Sequence, residues 1–149
     1  MSNHWLKGGE GARELAEARG AGLVLCDGAP GIGCPVISSL SGAHLAVAVT
    51  EPTPSGRHDL ERVASLCRHF QTAFAVIINK YDLNPGETAR IEAFCRSESY
   101  PVLARLLHDP LVTTAMVQGL VVTELPESEV SRELGQAWSR IEALAGLGR

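Results

Sequence analysis

The sequence predicts an α/β fold: a three-layer α/β/α sandwich on a mostly parallel sheet. Three observations predict it. Apolar runs of strand length recur at Leu23–Asp27, His44–Thr50, Ala73–Ile78 and, more weakly, Pro101–Leu106. Helix-patterned segments separate these runs, and strands joined through helices of that length run parallel. Each run stops abruptly at polar, glycine-rich or proline-rich residues, as a strand buried on both faces does at the rim of its sheet. The crossovers are expected to be right-handed.

Met1–Gly9 is polar and glycine-rich and reads as a lead without regular structure. Within Lys7–Arg13 the glycines suggest a phosphate loop. Such a loop needs Lys and then Ser or Thr after its last glycine, and Ala12 and Arg13 stand there instead. A turn before a helix fits better. Glu10–Arg19 is built of Ala, Glu, Arg, Leu and Gly with no β-branched residue, which predicts that helix, and Gly20 and Gly22 end it. Leu23–Asp27 is the first strand, which places Cys26 in the core. Pro35 opens a short helix to Leu40, since proline is accepted in a first turn.

His44–Thr50 is the second strand. Glu51-Pro52-Thr53-Pro54-Ser55-Gly56 follows, a rigid loop that cannot continue a sheet. Ser55 is the candidate cap of a helix in which Leu60, Val63, Ala64, Leu66, Cys67 and Phe70 recur at helical spacing. Ala73–Ile78 is the third strand and ends in Asn79-Lys80-Tyr81-Asp82. Asn84-Pro85-Gly86 turns the chain into a helix over Glu87–Arg96, with Ile91, Phe94 and Cys95 inward. After Pro101–Leu106, Asp109-Pro110 starts a short helix to about Gln118. Glu127–Leu147 is a long amphipathic helix with Val130, Leu134, Trp138, Ile141 and Leu144 on one side.

The 149 residues suit one domain, 1–149, with a full core of aliphatic side chains. A net charge of −4 without a basic run argues against nucleic acid as a main partner. The apolar runs fall far short of the roughly 20 residues of a membrane span. Four widely spaced cysteines, without a Cys-x-x-Cys pair, fit reduced thiols and a cytoplasmic location.

Two strand ends carry chemistry, and in a parallel sheet both fall on the edge where ligands of open α/β sheets bind. Asp27 with Gly31 has the Asp-x-x-x-Gly spacing that nucleotide hydrolases use: the carboxylate orders magnesium or its water, and the glycine N–H meets the terminal phosphate. A βα turn that needs its glycines for geometry alone fits the stretch equally well. In Asn79-Lys80-Tyr81-Asp82 the amide can pair with a purine edge and the Lys stem can lie across the ring. A plain helix or turn cap is the other reading of Asn79 and Asp82. His58, Asp59, His69 and His108 have no ligand spacing.

Asp27–Val36, Val49–Thr53, Gly56–Leu60 and Ile78–Asn84 together resemble the carboxyl half of MinD/ParA-type P-loop ATPases of the SIMIBI class. The nearest branch carries an inserted ferredoxin domain and is cobyrinic acid a,c-diamide synthase-like. The resemblance runs from about Gly11 to Glu124. It implies ATP and magnesium as cofactors, hydrolysis by a dimer, and coupling to a partner or a metal cluster. It implies catalytic roles for Asp27 and Gly31, with magnesium held at Asp27 through water. It implies nucleotide binding by Glu51, Pro52, Asn79, Lys80 and Asp82. Cys34 lies near the place where the similar nitrogenase iron protein carries a cluster-ligating cysteine, so an iron-sulfur role falls to it.

The departures from that family are equally specific. The Walker A loop and the clustered cysteines of the ferredoxin insert have no counterpart here. In the family the P-loop strand lies between the strands ending at Asp27 and Thr50. The chain is therefore expected to be a partial nucleotide-binding domain, inactive alone. It would be completed as a homo-oligomer or by an amino-terminal, ferredoxin-bearing half. The alternative is a non-enzymatic scaffold that docks a partner through its sheet edge or last helix.

Overall fold

The computed structural model describes residues 10–29, 31, 33–40, 42–125 and 128–146. The lead at Met1–Gly9, Pro30 and Ile32 of the glycine loop, and both expected ends of the last helix, Glu127 and Leu147, lie outside them. The elements are α1 (Glu10–Ala18), α2 (Cys34–Leu40), β1 (Leu45–Thr50), α3 (Pro54–His69), β2 (Ala73–Asn79), α4 (Pro85–Ser97), β3 (Val102–Leu106), α5 (Pro110–Val117), a 3-10 turn (Val122–Glu124) and α6 (Glu129–Leu144). The strands form one parallel sheet in the order β1-β2-β3. The expected α/β architecture is present.

β2 is central, and its alternation places the core. Phe74, Val76 and Ile78 face a cluster made with Leu60, Ala64 and Cys67 of α3, Ile91 and Cys95 of α4, and Val36 and Leu40 of α2. Ala75 and Ile77 face the other way, onto Leu103, Ala104 and Leu106 of β3 and Ala137 of α6. Burial pushes the Cys67 and Cys95 thiols up to about 11, so both stay protonated as core residues.

The β2–β3 ladder slips between Val76 and Ile77: Val76 pairs with Val102 but Ile77 with Ala104. Leu103 is the extra residue, a β-bulge. The bulge frees a carbonyl, and the Arg140 guanidinium of α6 donates to Leu103 O. α6 is thereby pinned to β3 by a charged hydrogen bond as well as by Leu134, Ala137 and Ile141.

Four expectations need correction. Leu23–Asp27 is not a strand: residues 23–29 have no regular structure and all are exposed, Leu25 by 78%. A strand needs a ladder partner, and among the described residues β1 pairs with β2 alone. Cys26 is consequently exposed, not core, and Cys34 is exposed as well. Thr53, not Ser55, caps α3, because Pro54 already occupies the first turn and Thr53 Oγ1 accepts from Gly56 N at 2.9 Å. Trp138 is 39% exposed, since the inward stripe of α6 runs through Val130, Leu134, Ala137 and Ile141 and leaves Trp138 to one side.

Candidate functional site

All three strands end on the same edge of the sheet, and each runs directly into a helix there. The three helices begin alike, with a side-chain cap followed by proline: Thr53-Pro54, Asn84-Pro85 and Asp109-Pro110. Asn84 Oδ1 accepts from Glu87 N at 3.1 Å, and Asp109 Oδ1 accepts from Leu111 N at 2.9 Å. The rim therefore collects three helix amino termini, whose partial positive charge favours an anion or an electron-rich ring.

The β1–α3 corner is the tightest part. Thr50 and Pro52 are buried. Thr53 N donates to Glu51 O at 2.8 Å. A Cβ on Gly56 would lie 2.5 Å from Glu51 O, 3.0 Å from Thr53 Oγ1 and 3.2 Å from Thr50 Oγ1. Only glycine lets the first turn of α3 sit against the end of β1 this closely.

Asn79 is the last residue of β2 and pairs with Leu106. Lys80 then takes a left-handed conformation, φ 53°, which reverses the chain at once. That turn sends the Lys80 ammonium to Glu51, Nζ to Oε1 2.7 Å. Tyr81 N donates to Leu106 O at 3.1 Å, and the Thr88 hydroxyl donates to Tyr81 O at 2.7 Å. Asp82 Oδ1 accepts from His108 N at 2.7 Å. The β2–α4 loop is thus tied to the β1–α3 loop by Lys80–Glu51, and to the β3–α5 loop by Asp82–His108.

Behind the rim, Glu87 is 4% exposed and joins α3 to α4. Its carboxylate pairs with Arg90 and with Arg57 at 3.3 Å, and Arg57 also reaches Glu61 at 2.7 Å. The Arg90 hydrogen bond, helped by Arg57, holds the Glu87 carboxyl below its usual range against the opposing effect of desolvation. A depressed carboxylate pKa stabilises the fold above the unfolded value of about 4.3, and that contribution disappears as pH falls through the lower, folded pKa. Glu87→Gln is expected to lower the urea midpoint at neutral pH and to flatten its fall on the acid side. A variant whose midpoint tracks the parent at every pH contradicts this.

Of the residues singled out in the sequence, the structure brings Glu51, Pro52, Asn79, Lys80 and Asp82 to one rim. It does not join Asp27, Gly31 or Cys34 to them: no hydrogen bond or ion pair links the two groups among the described residues. Gly31 has φ +85°, which explains a glycine there, but a Cβ would meet nothing within 4 Å. Sequence reasoning missed Gly56, the Thr53 cap and the His108 amide. Thr-Pro-Ser-Gly was legible as a helix start, but the closeness of Glu51 O to Gly56 had no local signal.

Asn79, Lys80 and the acidic side chains of Glu51 and Asp82 share one edge of the sheet. The residues implied for magnesium and phosphate, Asp27 and Gly31, lie in the segment before α2. Among the described residues no group of three or more His, Cys, Asp or Glu is placed to hold a metal ion. Nor is any helix long and apolar enough to cross a membrane.

No family model matches the chain. Two curated proteins of Methanocaldococcus jannaschii are similar. One, the uncharacterized protein MJ0578, is 36% identical over 64 residues, covering 43% of this chain and 23% of its own. The other, the uncharacterized protein MJ0579, is 27% identical over 86 residues, covering 51% and 32%. The chain therefore spans less than a third of either relative. Among solved structures, the MinD cell division protein of Aquifex aeolicus superposes with a TM-score of 0.75 at 17% identity, over 91% of this chain and 59% of that one. The septum site-determining protein MinD of Pyrococcus horikoshii, complexed with Mg-ADP, gives 0.68 at 23% identity, over 81% and 50%. A MinC:MinD complex of Aquifex aeolicus gives 0.77 at 17%, over 91% and 57%. This chain has the fold of the MinD ATPases. At these identities the likeness is one of fold, and it covers half to three-fifths of each neighbour.

Proposed function

We propose that residues 1–149 form one domain: the base-binding, carboxyl-terminal part of a MinD-like nucleotide-binding domain, inactive as an ATPase without a phosphate-binding half. The observation that carries this reading is the convergence of three strand-end loops on one rim, with Asn79 at its centre. Glu51 and Pro52 wall one side, and Lys80 and Asp82 brace the turn. The Mg-ADP held by the Pyrococcus horikoshii neighbour supports an adenine nucleotide as the ligand. When completed, the domain would take magnesium through Asp27 and terminal phosphate at Gly31. An iron-sulfur role would fall to Cys34, exposed as the first residue of α2, and would need thiols from another chain. The partner would be a protein, as in the MinC:MinD neighbour, and the cytoplasm is the location proposed.

Isothermal titration tests the base-end reading. Adenosine and magnesium-ATP are expected to bind this chain with affinities within a few-fold of each other, because the phosphate end adds little. Asn79→Ala is expected to weaken both roughly fivefold, the worth of about one hydrogen bond. Binding of ATP with an affinity that Asn79→Ala leaves unchanged contradicts the proposed pose. The second reading, a non-enzymatic docking scaffold, is favoured by one observation: Asp27 lies in an exposed segment and makes no hydrogen bond among the described residues. It predicts no heat with either ligand.

A further inference from the structure

Beside β3 the sheet carries an open groove of about 800 Å³, walled by α4 and α6. β1 forms the opposite edge, so a strand added there lies away from the groove. The floor of the groove is closed to a further strand. The Leu103 bulge breaks the ladder geometry, and Arg140 occupies the carbonyl that the bulge frees. Whatever enters is therefore met by side chains.

Those side chains are charged, and the charges are sorted along the groove. α4 leaves the rim at Asn84 and ends at Ser97, at the other end of the sheet. Arg96, in its last turn, and Tyr100 line the groove there. Arg140 belongs to the same end, since it bonds to Leu103 near the start of β3. Glu133 and Glu129 stand seven and eleven residues before Arg140 on α6, about 10 and 16 Å along the helix axis. They line the rim end, with Tyr81 and Arg105. Arg105 is neutralised by Glu92 at 3.0 Å and lies 5.9 Å over the Tyr81 ring. Two carboxylates remain at the rim end and two guanidiniums at the other.

None of these four charges is neutralised within the fold. Among the described residues Glu129, Glu133 and Arg96 make no hydrogen bond or ion pair, and Arg140 meets a carbonyl, not a carboxylate. Nor is α6 arranged to neutralise itself. Glu129 and Glu133 are like charges one turn apart, which weakens a helix, and the neutral Gln136 stands one turn before Arg140. Small-molecule sites are concave and mostly apolar, whereas this groove is open and lined by charge. Its carboxylates repel a nucleic-acid backbone.

We infer that the groove docks an extended peptide segment of a protein partner, with basic side chains at its rim end and acidic side chains at the other. The distance from Glu129 to Arg140 is the reach of about five extended residues. The order of charges fixes which way the segment lies, because the reverse placement sets like charges together at both ends. This docking is independent of the nucleotide reading.

Fluorescence anisotropy of labelled, end-capped pentapeptides on the full chain tests it. The probes are Lys-Lys-Ser-Asp-Asp and Asp-Asp-Ser-Lys-Lys, which present the same charges on opposite backbone directions. At least one is expected to bind, several-fold tighter than Lys-Lys-Ser-Lys-Lys or Asp-Asp-Ser-Asp-Asp, and to weaken as salt rises. Glu133→Lys at the rim end and Arg96→Glu at the other are each expected to weaken that binding at least about fivefold. Glu133→Lys is also expected to improve binding of the all-acidic peptide. Arg62→Gln, on α3, is expected to change nothing. Failure of both mixed peptides to bind at millimolar concentration overturns the inference. So does a uniformly charged peptide that binds the parent as tightly as the mixed ones, or binding indifferent to both charge reversals.

Discussion

Gly56→Ala is expected to lower stability by about 1–3 kcal/mol and, on the proposed reading of the rim, to weaken nucleotide binding together with it. The new methyl would stand 2.5 Å from Glu51 O, a backbone atom whose place is fixed by the end of β1 and by the Thr53 N–H bond. No side-chain rotation relieves that contact. The first turn of α3 has to move outward, which breaks the Thr53 cap and pulls Glu51 away from Lys80. Chemical denaturation reads the stability loss. A control on α6 separates it from a general effect of glycine: Gly135 has open space at Cβ, and Gly135→Ala is expected to be neutral or slightly stabilising. A Gly56→Ala variant with unchanged midpoint and unchanged binding contradicts the role given to this corner.

Ile78→Ala is expected to cost about 2–5 kcal/mol, enough to unfold much of a marginal domain. Ile78 is fully buried on the central strand, against the cluster that α2, α3 and α4 share. Truncation leaves a cavity that a parallel strand, held by ladder bonds on both sides, cannot close by shifting. Because Ile78 immediately precedes Asn79, the same variant is expected to loosen the rim. Leu83→Ala is the comparison: Leu83 is largely exposed and should change stability little.

Most of the fold was legible because local pattern and tertiary environment agree. The apolar runs at His44–Thr50 and Ala73–Ile78 are strands because each has a neighbour to pair with and helices on its faces. Leu23–Asp27 has the same pattern and fails as a strand because pairing is a property of the neighbour, not of the run. The Asn79–Asp82 loop was legible as polar residues at a strand end. Its bracing was not: Asp82 to the His108 amide spans 26 residues and Lys80 to Glu51 spans 29, distances that no local spacing encodes. Trp138 misled for the opposite reason. It falls within a helical stripe broad enough to include it, but the row of α6 that packs with the β3 residues runs through Leu134, Ala137 and Ile141.

The most direct measurement follows the backbone amides of isotope-labelled chain by NMR while adenosine, and then magnesium-ATP, is added. The account predicts shifts concentrated at Glu51–Thr53, Asn79–Asp82 and His108–Asp109, alike for both ligands and diminished in Asn79→Ala. Shifts confined to α1, α2 or α6, or none at ligand concentrations that saturate weak sites, would contradict it.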